Sequence, residues 1–269
     1  MILIVFALAR PQIGNSYTEI ESEGIDIVLA LDTSGSMKAL DLSLNGEEAN
    51  RLDVVKAVVS EFIKKREYDR IGMVVFGTQA YTQCPLTLDY DIIQGYLSLI
   101  QIGIAGEETA IGNALATSVK RLLKSKAKSK VIILLTDGEN TSGEVSPIKA
   151  AEVARDNDIK VYTIAVGSSG LVPVPVKTFF GMRKVPMQLS VDEETLKEIS
   201  EISGGKSYLA KDTDDLKKIY AEIDSLERTE VKTNEFAEYE EMYLSYLIPG
   251  ILFLLAAWLL KWTVFLRLP

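Results

Sequence analysis

Residues 25–36 read IDIVLALDTSGS, a largely apolar run that ends in a carboxylate followed by two hydroxyl side chains. The stretch Ile25–Leu31 is apolar at nearly every position, which predicts a strand buried on both faces of a sheet. Asp32, Ser34 and Ser36 follow it directly and collect hard oxygen donors, the ligands that a divalent cation prefers. Because ligands bind outside the carboxyl ends of the strands in open parallel sheets, this loop lies where a site is expected.

Two later segments repeat this arrangement of oxygen donors. Thr109 lies within EETAIG at 107–112, and Asp137 lies within LLTDG at 134–138. The three hydroxyl side chains are neutral and would leave most of a cation's charge unquenched, while Asp32 and Asp137 can hold coordinated waters. A remaining coordination position can accept an Asp or Glu carboxylate from a partner. Alternatively, the same side chains only cap helices and satisfy loop amides.

The middle of the chain alternates apolar runs with helical periodicities. Four runs are predicted to be buried strands: Ile25–Leu31, Ile71–Phe76, Val131–Leu135 and Ile159–Val166. Two stripes with helical spacing predict amphipathic helices that pack on the sheet: Leu52, Val55, Val58, Val59 and Phe62, then Leu216, Ile219, Tyr220 and Ile223. Strands that alternate with helices predict an α/β fold, a doubly wound, mostly parallel sheet flanked by helices.

A proline-rich insertion follows the fourth predicted strand. Residues 171–188 carry three prolines among Val, Phe and Met, which predicts an extended hairpin or loop that serves either as a partner surface or as packing. The run Ser190–Glu193 predicts a capping box for a helix through Ile202, which Gly204 and Gly205 then end. A short strand near residues 207–209 and a last helix complete the predicted domain.

The C-terminal segment 244–266 is predicted to be a transmembrane helix. It is apolar over enough residues to cross ~30 Å of hydrocarbon, although a buried core helix is the alternative. Four glutamates precede its uncharged run 244–260 and Lys261 and Arg267 follow that run, so the tail is expected to be cytoplasmic and the upstream domain extracytoplasmic. Residues 227–243 are polar and acidic and predict a tether.

The N-terminal segment 1–12 is an apolar stub that is too short to span a membrane alone. We interpret it as the end of a truncated transmembrane segment. The end of a signal peptide is the alternative, since Ala7–Ala9 resembles a small-residue cleavage site, but no basic region precedes it.

Composition excludes several classes of function. The 269 residues include no histidine, which removes histidine-based triads, histidine general bases and His-ligated zinc. The lone Cys84 permits no internal disulfide and, flanked by apolar residues, is expected in the core. A formal charge of −9 argues against nucleic acid as a partner, because such binding depends on neutralising phosphates with cations.

The chain resembles von Willebrand factor A domains over residues 22–226. The motif DTSGS at 32–36, the threonine loop at 107–112 and the aspartate loop at 134–138 match the family's metal-ion-dependent adhesion site in order. The resemblance implies that Asp32, Ser34, Ser36, Thr109 and Asp137 form this site. It also implies magnesium, or manganese, as the ion, and a protein ligand that contributes an Asp or Glu carboxylate.

The resemblance extends to the membrane-anchored bacterial Bat (Bacteroides aerotolerance) type of this domain. Three further segments carry it: ARPQ at 9–12, AYTQCPLT at 80–87 and GGKSY at 204–208. It implies a place in the bacterial inner membrane with the globular domain in the periplasm. It also implies a complex with related membrane-anchored von Willebrand A proteins and a MoxR-type AAA ATPase.

The leading hypothesis is therefore a non-enzymatic binding module that engages a partner carboxylate through a divalent metal. A structural membrane scaffold with a vestigial metal site is a second possibility. A third is a magnesium-dependent phosphohydrolase with Asp32 as nucleophile. That mechanism needs a second carboxylate two residues on, where the chain has Ser34, and the sequence contains no GxxxxGK[ST] phosphate loop.

Overall fold

The computed structural model describes residues 8–17, 24–44, 46–178, 181–228 and 236–263. Residues 23–231 form one compact unit, and the two chain ends, 1–22 with 232–269, form another. In chain order the strands are β1 (Gln12–Tyr17), β2 (Asp26–Asp32), β3 (Leu42–Leu44), β4 (Glu47–Ala49), β5 (Arg70–Phe76), β6 (Ala80–Thr87), β7 (Lys130–Thr136), β8 (Ile159–Val166), β9 (Gly170–Thr178), β10 (Gly181–Leu189), β11 (Ser207–Ala210) and β12 (Phe236–Glu241).

The helices separate these strands as the alternating pattern predicts. They are α1 (Arg51–Lys64), α2 (Tyr90–Leu99), α3 (Ile111–Leu122), α4 (Pro147–Asp156), α5 (Glu193–Ser203), α6 (Thr213–Arg228) and α7 (Tyr243–Thr263). A single turn of 3-10 helix, Gly35–Lys38, follows β2.

A six-stranded sheet in the order β11-β8-β7-β2-β5-β6 forms the centre of the main unit. Its strands are parallel except at the β5–β6 edge, where the pairing is antiparallel. All four predicted strands are confirmed to within one residue at each end. The predicted α/β class with a mostly parallel, doubly wound sheet is therefore confirmed.

Helices cover both faces of this sheet. This is expected because the strands are apolar at successive positions, so both of their faces must be buried. Leu29 and Leu31 of β2 face one core with α1, α2 and α6. Val28 and Ala30 of the same strand face the other core with α3, α4 and α5. Because successive side chains of a strand point to opposite faces, one apolar run supplies both cores. The two predicted amphipathic stripes are buried in α1 and α6.

The proline-rich insertion forms a hairpin, which is one of the two structures predicted for it. Strands β9 and β10 pair in antiparallel register from Gly170–Leu189 to Thr178–Gly181. Val172 and Val174 pack on Ala39, beside the 3-10 turn, and the carbonyl of Pro173 accepts a hydrogen bond from Leu40 N at 2.9 Å.

The helix after this hairpin begins differently from the prediction. Asp192 is its N-cap and accepts a hydrogen bond from Thr195 N at 3.0 Å, so the expected capping box at Ser190 is wrong. The Ser190 hydroxyl instead donates to Glu139 at 2.6 Å. The other end of the helix follows the prediction, since Gly204 adopts φ +78° and stops α5 before β11.

In the unit formed by the chain ends, the described residues form a strand pair and a long helix. Strands β1 and β12 pair in antiparallel register, so residues 236–241 of the expected tether form a strand. Within α7, residues Tyr243–Leu260 have a mean hydropathy of 2.0 and are long enough to cross a membrane. Residues 1–7 of the apolar stub, 229–235 of the tether and 264–266 of the predicted span lie outside the described residues.

Candidate metal centre

Three loops meet at the carboxyl edge of the sheet and bring the five predicted site residues together. The hydroxyls of Ser34 and Ser36 lie 3.0 Å apart, and Ser36 Oγ donates to Asp137 Oδ1 at 2.6 Å. A methyl group added to Gly138 would lie 3.8 Å from Thr109 Oγ1 and 3.9 Å from Ser36 Oγ. The Thr109 hydroxyl therefore faces the same small space as the Ser36 hydroxyl.

Asp32 is fully buried at the end of β2, and both of its carboxylate oxygens accept hydrogen bonds. Oδ1 accepts from Ser34 N at 2.8 Å, and Oδ2 accepts from Thr136 Oγ1 at 2.7 Å. Burial, together with the neighbouring charge of Asp137, raises the pKa of Asp32 to about 7. The carboxylate is thus held in one orientation by Ser34, in the loop after β2, and by Thr136, at the end of β7.

Asp137 is held by a buried arginine that the sequence analysis did not identify. Arg51 Nη1 donates to Asp137 Oδ2 at 2.9 Å, and its Nε donates to Asp41 Oδ1 at 2.8 Å. Arg51 is completely buried. Burial raises the pKa of Asp137, and the charge of Arg51 opposes that rise. The positive charge of the guanidinium thereby offsets the negative charges of both Asp137 and Asp41.

Asp41 completes this network. Its Oδ2 accepts hydrogen bonds from Arg51 Nη2 at 2.5 Å and from Ser168 N at 2.9 Å. Burial opposes ionisation of Asp41, but the hydrogen bonds from Arg51 and Ser168 outweigh it and lower the pKa. Gly167 has φ +99°, and a Cβ there would lie 2.4 Å from the guanidinium, so only glycine leaves room for the arginine.

The threonine loop is fixed through its backbone. Thr109 N donates to Thr141 Oγ1 at 3.0 Å, and Ala110 N donates to the carbonyl of Gly77 at 2.8 Å. Asn140 Oδ1 accepts a hydrogen bond from Ile111 N at 2.8 Å and so satisfies a free amide at the start of α3. These bonds hold the main chain of the threonine loop from both sides.

An open groove of about 390 Å³ lies over these residues. Ser36, Thr109 and Asp137 line its floor, and Gln188–Ser190 from the end of the hairpin line one wall. Its remaining lining includes carboxylates: Glu107, Glu108 and Glu139. Glu107 forms an ion pair with Lys38 at 3.0 Å, which offsets part of that charge.

The donor set fits a hard divalent cation that is bound mainly through hydroxyls. Among the described residues no cluster of three or more His, Cys, Asp or Glu side chains is placed to hold a metal, so a site here depends on Ser and Thr oxygens. Adjacent ligands on an octahedral Mg²⁺ ion lie about 3 Å apart, since each is about 2.1 Å from the metal. The 3.0 Å separation of the Ser34 and Ser36 hydroxyls matches that edge.

The von Willebrand factor type A domain model matches residues 26–222, which cover the whole main sheet and the candidate metal centre. The chain belongs to this family. A protein of Borreliella burgdorferi is 30% identical over 254 residues, a match that covers 94% of this chain and 73% of that one.

Two solved structures place this von Willebrand A protein beside the Bat group. BatB from Bacteroides thetaiotaomicron is 29% identical with a TM-score of 0.66, over 76% of this chain and all of that one. An aerotolerance-related membrane protein from Bacteroides fragilis is 27% identical with a TM-score of 0.63, over 75% of this chain and 98% of that one. The chain is thus a von Willebrand A protein similar to Bat-type membrane proteins.

Proposed function

We propose that this protein is a membrane-anchored binding module whose von Willebrand A domain engages an Asp or Glu carboxylate of a protein partner through Mg²⁺ or Mn²⁺. One observation carries the proposal: Ser36, Thr109 and Asp137 line the floor of an open groove, and the Ser34 hydroxyl lies 3.0 Å from that of Ser36. The ion would supply a positive charge with a coordination position that a partner carboxylate can fill.

The chain's own residues set up this chemistry. Hydroxyls contribute no charge, so a cation bound by them keeps its attraction for an anionic ligand. Asp32 and Asp137 lie behind them and are oriented by Thr136 and Arg51, so they can hold coordinated waters in place. The groove is open to solvent, which allows a side chain of another protein to reach its floor.

The hairpin gives the partner a second contact beside the metal. Residues 170–189 contain three cations and no acidic residue, in a chain of formal charge −9. Val185 and Met187 are 40% and 45% exposed on β10, the strand that ends at the groove wall. We propose that the partner segment beyond the metal-bound carboxylate is apolar and acidic and lies along β10.

The setting of the proposed function follows the relatives. Similarity to BatB and to an aerotolerance-related membrane protein supports a bacterial inner-membrane complex with related anchored von Willebrand A proteins and a MoxR-type AAA ATPase. The flanking charges of α7 support a periplasmic domain. Function is argued from the metal site, and fold similarity supplies only the context.

The geometry disfavours a phosphohydrolase. Asp32 is completely buried and both of its oxygens already accept hydrogen bonds, so it is not presented to a substrate as a nucleophile. Ser34 stands where the second catalytic carboxylate would be needed. A structural scaffold remains the competing function, and metal-dependent capture of a partner separates it from a binding module.

The first experiment tests metal binding by the full chain in detergent. Calorimetry should show one Mg²⁺ or Mn²⁺ per chain, and Thr109→Val and Ser36→Ala should each weaken binding at least tenfold. Ser98→Ala is the matched control, because that hydroxyl bonds only within its own helix. At a hundred times the dissociation constant, metal should raise the free energy of unfolding by ~2.7 kcal/mol. No metal effect on the wild type would refute the site.

The second experiment tests what the metal is for. Crosslinking in native membranes, with and without chelator, should identify partners that the wild type captures only with metal and that Ser36→Ala loses. Partners captured equally in chelator and by Ser36→Ala would favour the scaffold instead.

A further inference from the structure

A strongly basic segment lies at the end of the domain opposite the metal centre. Residues 120–130 read KRLLKSKAKSK and contain six cations and no acidic residue, whereas the whole chain carries a formal charge of −9. Lys124, Lys126 and Lys128 are all exposed in the loop between α3 and β7. This loop precedes β7, while Asp137 follows the same strand, so the two sites lie at opposite edges of the sheet.

The basic loop contacts the points where the chain enters and leaves the domain. Ser129 O accepts a hydrogen bond from Asp26 N at 3.1 Å, at the start of β2. The hydroxyl of Ser129 donates to Glu227 at 2.7 Å, one residue before the end of α6. Fourteen residues, 229–242, then separate α6 from α7. Even fully extended, they reach at most about 50 Å.

Local structure explains only part of this charge. Lys120 and Arg121 lie in the last turn of α3, where cations interact favourably with the helix dipole. Lys130 donates to the carbonyl of Asn157 at 2.6 Å. Lys124 and Lys126 lie beyond the end of α3 and are exposed to solvent.

Two exposed apolar side chains accompany the cations. Leu123 is 52% exposed within the basic segment, and Tyr68 is 62% exposed in the loop before β5. Since β5 and β7 flank β2 and run parallel to it, the loops that precede them lie at the same end of the sheet, with one strand between them. Cations combined with an aliphatic and an aromatic side chain are typical of surfaces that lie at a membrane interface.

We propose that this end of the domain docks on anionic phospholipid headgroups of the membrane that α7 spans. Each Lys or Arg near an anionic lipid surface strengthens attraction roughly fivefold, and the short connection to α7 keeps the local lipid concentration high. Docking at this end directs the metal centre away from the membrane, toward a partner. The inference rests on the anchor and the basic segment and does not depend on metal binding.

The test uses the full chain in nanodiscs of phosphatidylcholine, with or without phosphatidylglycerol. An environment-sensitive fluorophore is attached to Leu123→Cys in a Cys84→Ala background. We expect the fluorophore's emission to shift to the blue, and to be quenched by nitroxide-labelled lipid, only in phosphatidylglycerol discs. Both effects should disappear at high salt. A label at Glu108→Cys, at the metal-centre end, should show neither change.

Charge variants complete the test. Lys124→Glu, Lys126→Glu and Lys128→Glu together should abolish the blue shift. The control triple of Lys149→Glu, Lys211→Glu and Lys218→Glu makes the same charge change on exposed residues elsewhere and should retain it. Identical spectra in both kinds of disc would overturn the proposal. So would a response to inorganic phosphate without anionic lipid, which would indicate a free anion as the ligand.

Discussion

Arg51 is the residue on which the candidate metal centre depends most for its shape. Its guanidinium is completely buried and donates to both Asp137 and Asp41. A planar guanidinium can satisfy two carboxylates in fixed directions, which an ammonium group cannot. The orientation of the Asp137 carboxylate toward Ser36 therefore depends on Arg51, the first residue of α1.

We predict that Arg51→Met lowers the free energy of unfolding by about 3–5 kcal/mol, because it leaves two carboxylates without their buried cation. Arg51→Lys should lower it less, since the charge remains but the paired hydrogen bonds do not. Thermal unfolding in chelator, followed by circular dichroism, measures both. Arg155→Met is the control, since its ion pair with Asp156 is exposed. Equal stability of the Arg51 and Arg155 variants would contradict this role.

Four of the five predicted site residues could be nominated because they follow apolar runs that predict strands, whereas Thr109 depended on the resemblance of its loop to the family motif. Arg51 and Asp41 could not be nominated. Arg51 lies 86 residues from Asp137 in the chain, so nothing local indicates their contact. One clue was available: a cation in the first turn of a helix is unfavourable next to the helix dipole, which suggests a specific partner.

At the scale of elements, the hairpin β9–β10 combines a buried and an exposed side. Val172 and Val174 anchor it beside the 3-10 turn, and an ion pair joins Lys184 to Glu48. Its β10 strand leads into the groove wall. The hairpin is thus fixed to the domain while part of its apolar surface remains exposed.

We predict that Val185→Ser with Met187→Ser reduces partner capture at least tenfold while Mg²⁺ affinity stays unchanged. Both side chains are already 40–45% exposed, so the unfolding free energy should change by less than about 1 kcal/mol. The control pair is Val153→Ser with Leu99→Ser, exposed apolar residues on α4 and α2. Calorimetry and crosslinking measure the two effects separately. Unchanged capture by the hairpin variant would exclude this surface.

Helix α6 is held on the sheet by a buried carboxylate near its end. Glu227 accepts hydrogen bonds from Ser129 at 2.7 Å, Tyr162 at 2.5 Å and Lys160 at 3.1 Å. Burial alone would raise the pKa of Glu227, but these hydrogen bonds outweigh it and lower the pKa below its ordinary value of 4.5. The ionised form is therefore the one that stabilises the fold.

We predict that Glu227→Gln lowers the free energy of unfolding by about 2–3 kcal/mol at neutral pH, since charge-assisted hydrogen bonds are lost. A lowered pKa contributes stability that is complete above pH 4.5 and is lost as the pH falls through the folded-state value. The difference between variant and wild type should therefore shrink below pH 4.5. Melting curves over a pH series measure it. A difference that stays constant with pH would show that Glu227 is not ionised in the fold.

The sequence pattern predicted the central strands of the sheet but not the edge strand β6 or the β1–β12 pair, for a physical reason. Strands buried on both faces need continuous apolar runs, which are visible in the sequence. The edge strand β6 contains Gln83 and Pro85 and pairs with β5 through register shifts, so its pattern is interrupted. The β1–β12 pair joins polar segments more than 200 residues apart, and no local pattern predicts such a contact.

At the scale of the whole molecule, the features with a proposed function lie at different places in the fold. The candidate metal centre lies at the carboxyl edge of the sheet, the basic segment lies at the opposite edge, and α7 supplies a candidate membrane span. Which compartment contains the domain decides which partners can reach the metal centre. The charges on either side of α7 favour the extracytoplasmic side.

We predict that the domain lies outside the cytoplasm, because four glutamates precede α7 and Lys261 and Arg267 follow its apolar core. A membrane-impermeant maleimide should label Glu108→Cys in intact spheroplasts and Leu268→Cys only after lysis. The native Cys84 gives little background, since it is 1% exposed and burial raises the pKa of its thiol. The wild type is therefore the control in both conditions. If Leu268→Cys is labelled in intact spheroplasts and Glu108→Cys is not, the domain is cytoplasmic, and the carboxylate that completes the metal site must come from a cytosolic protein.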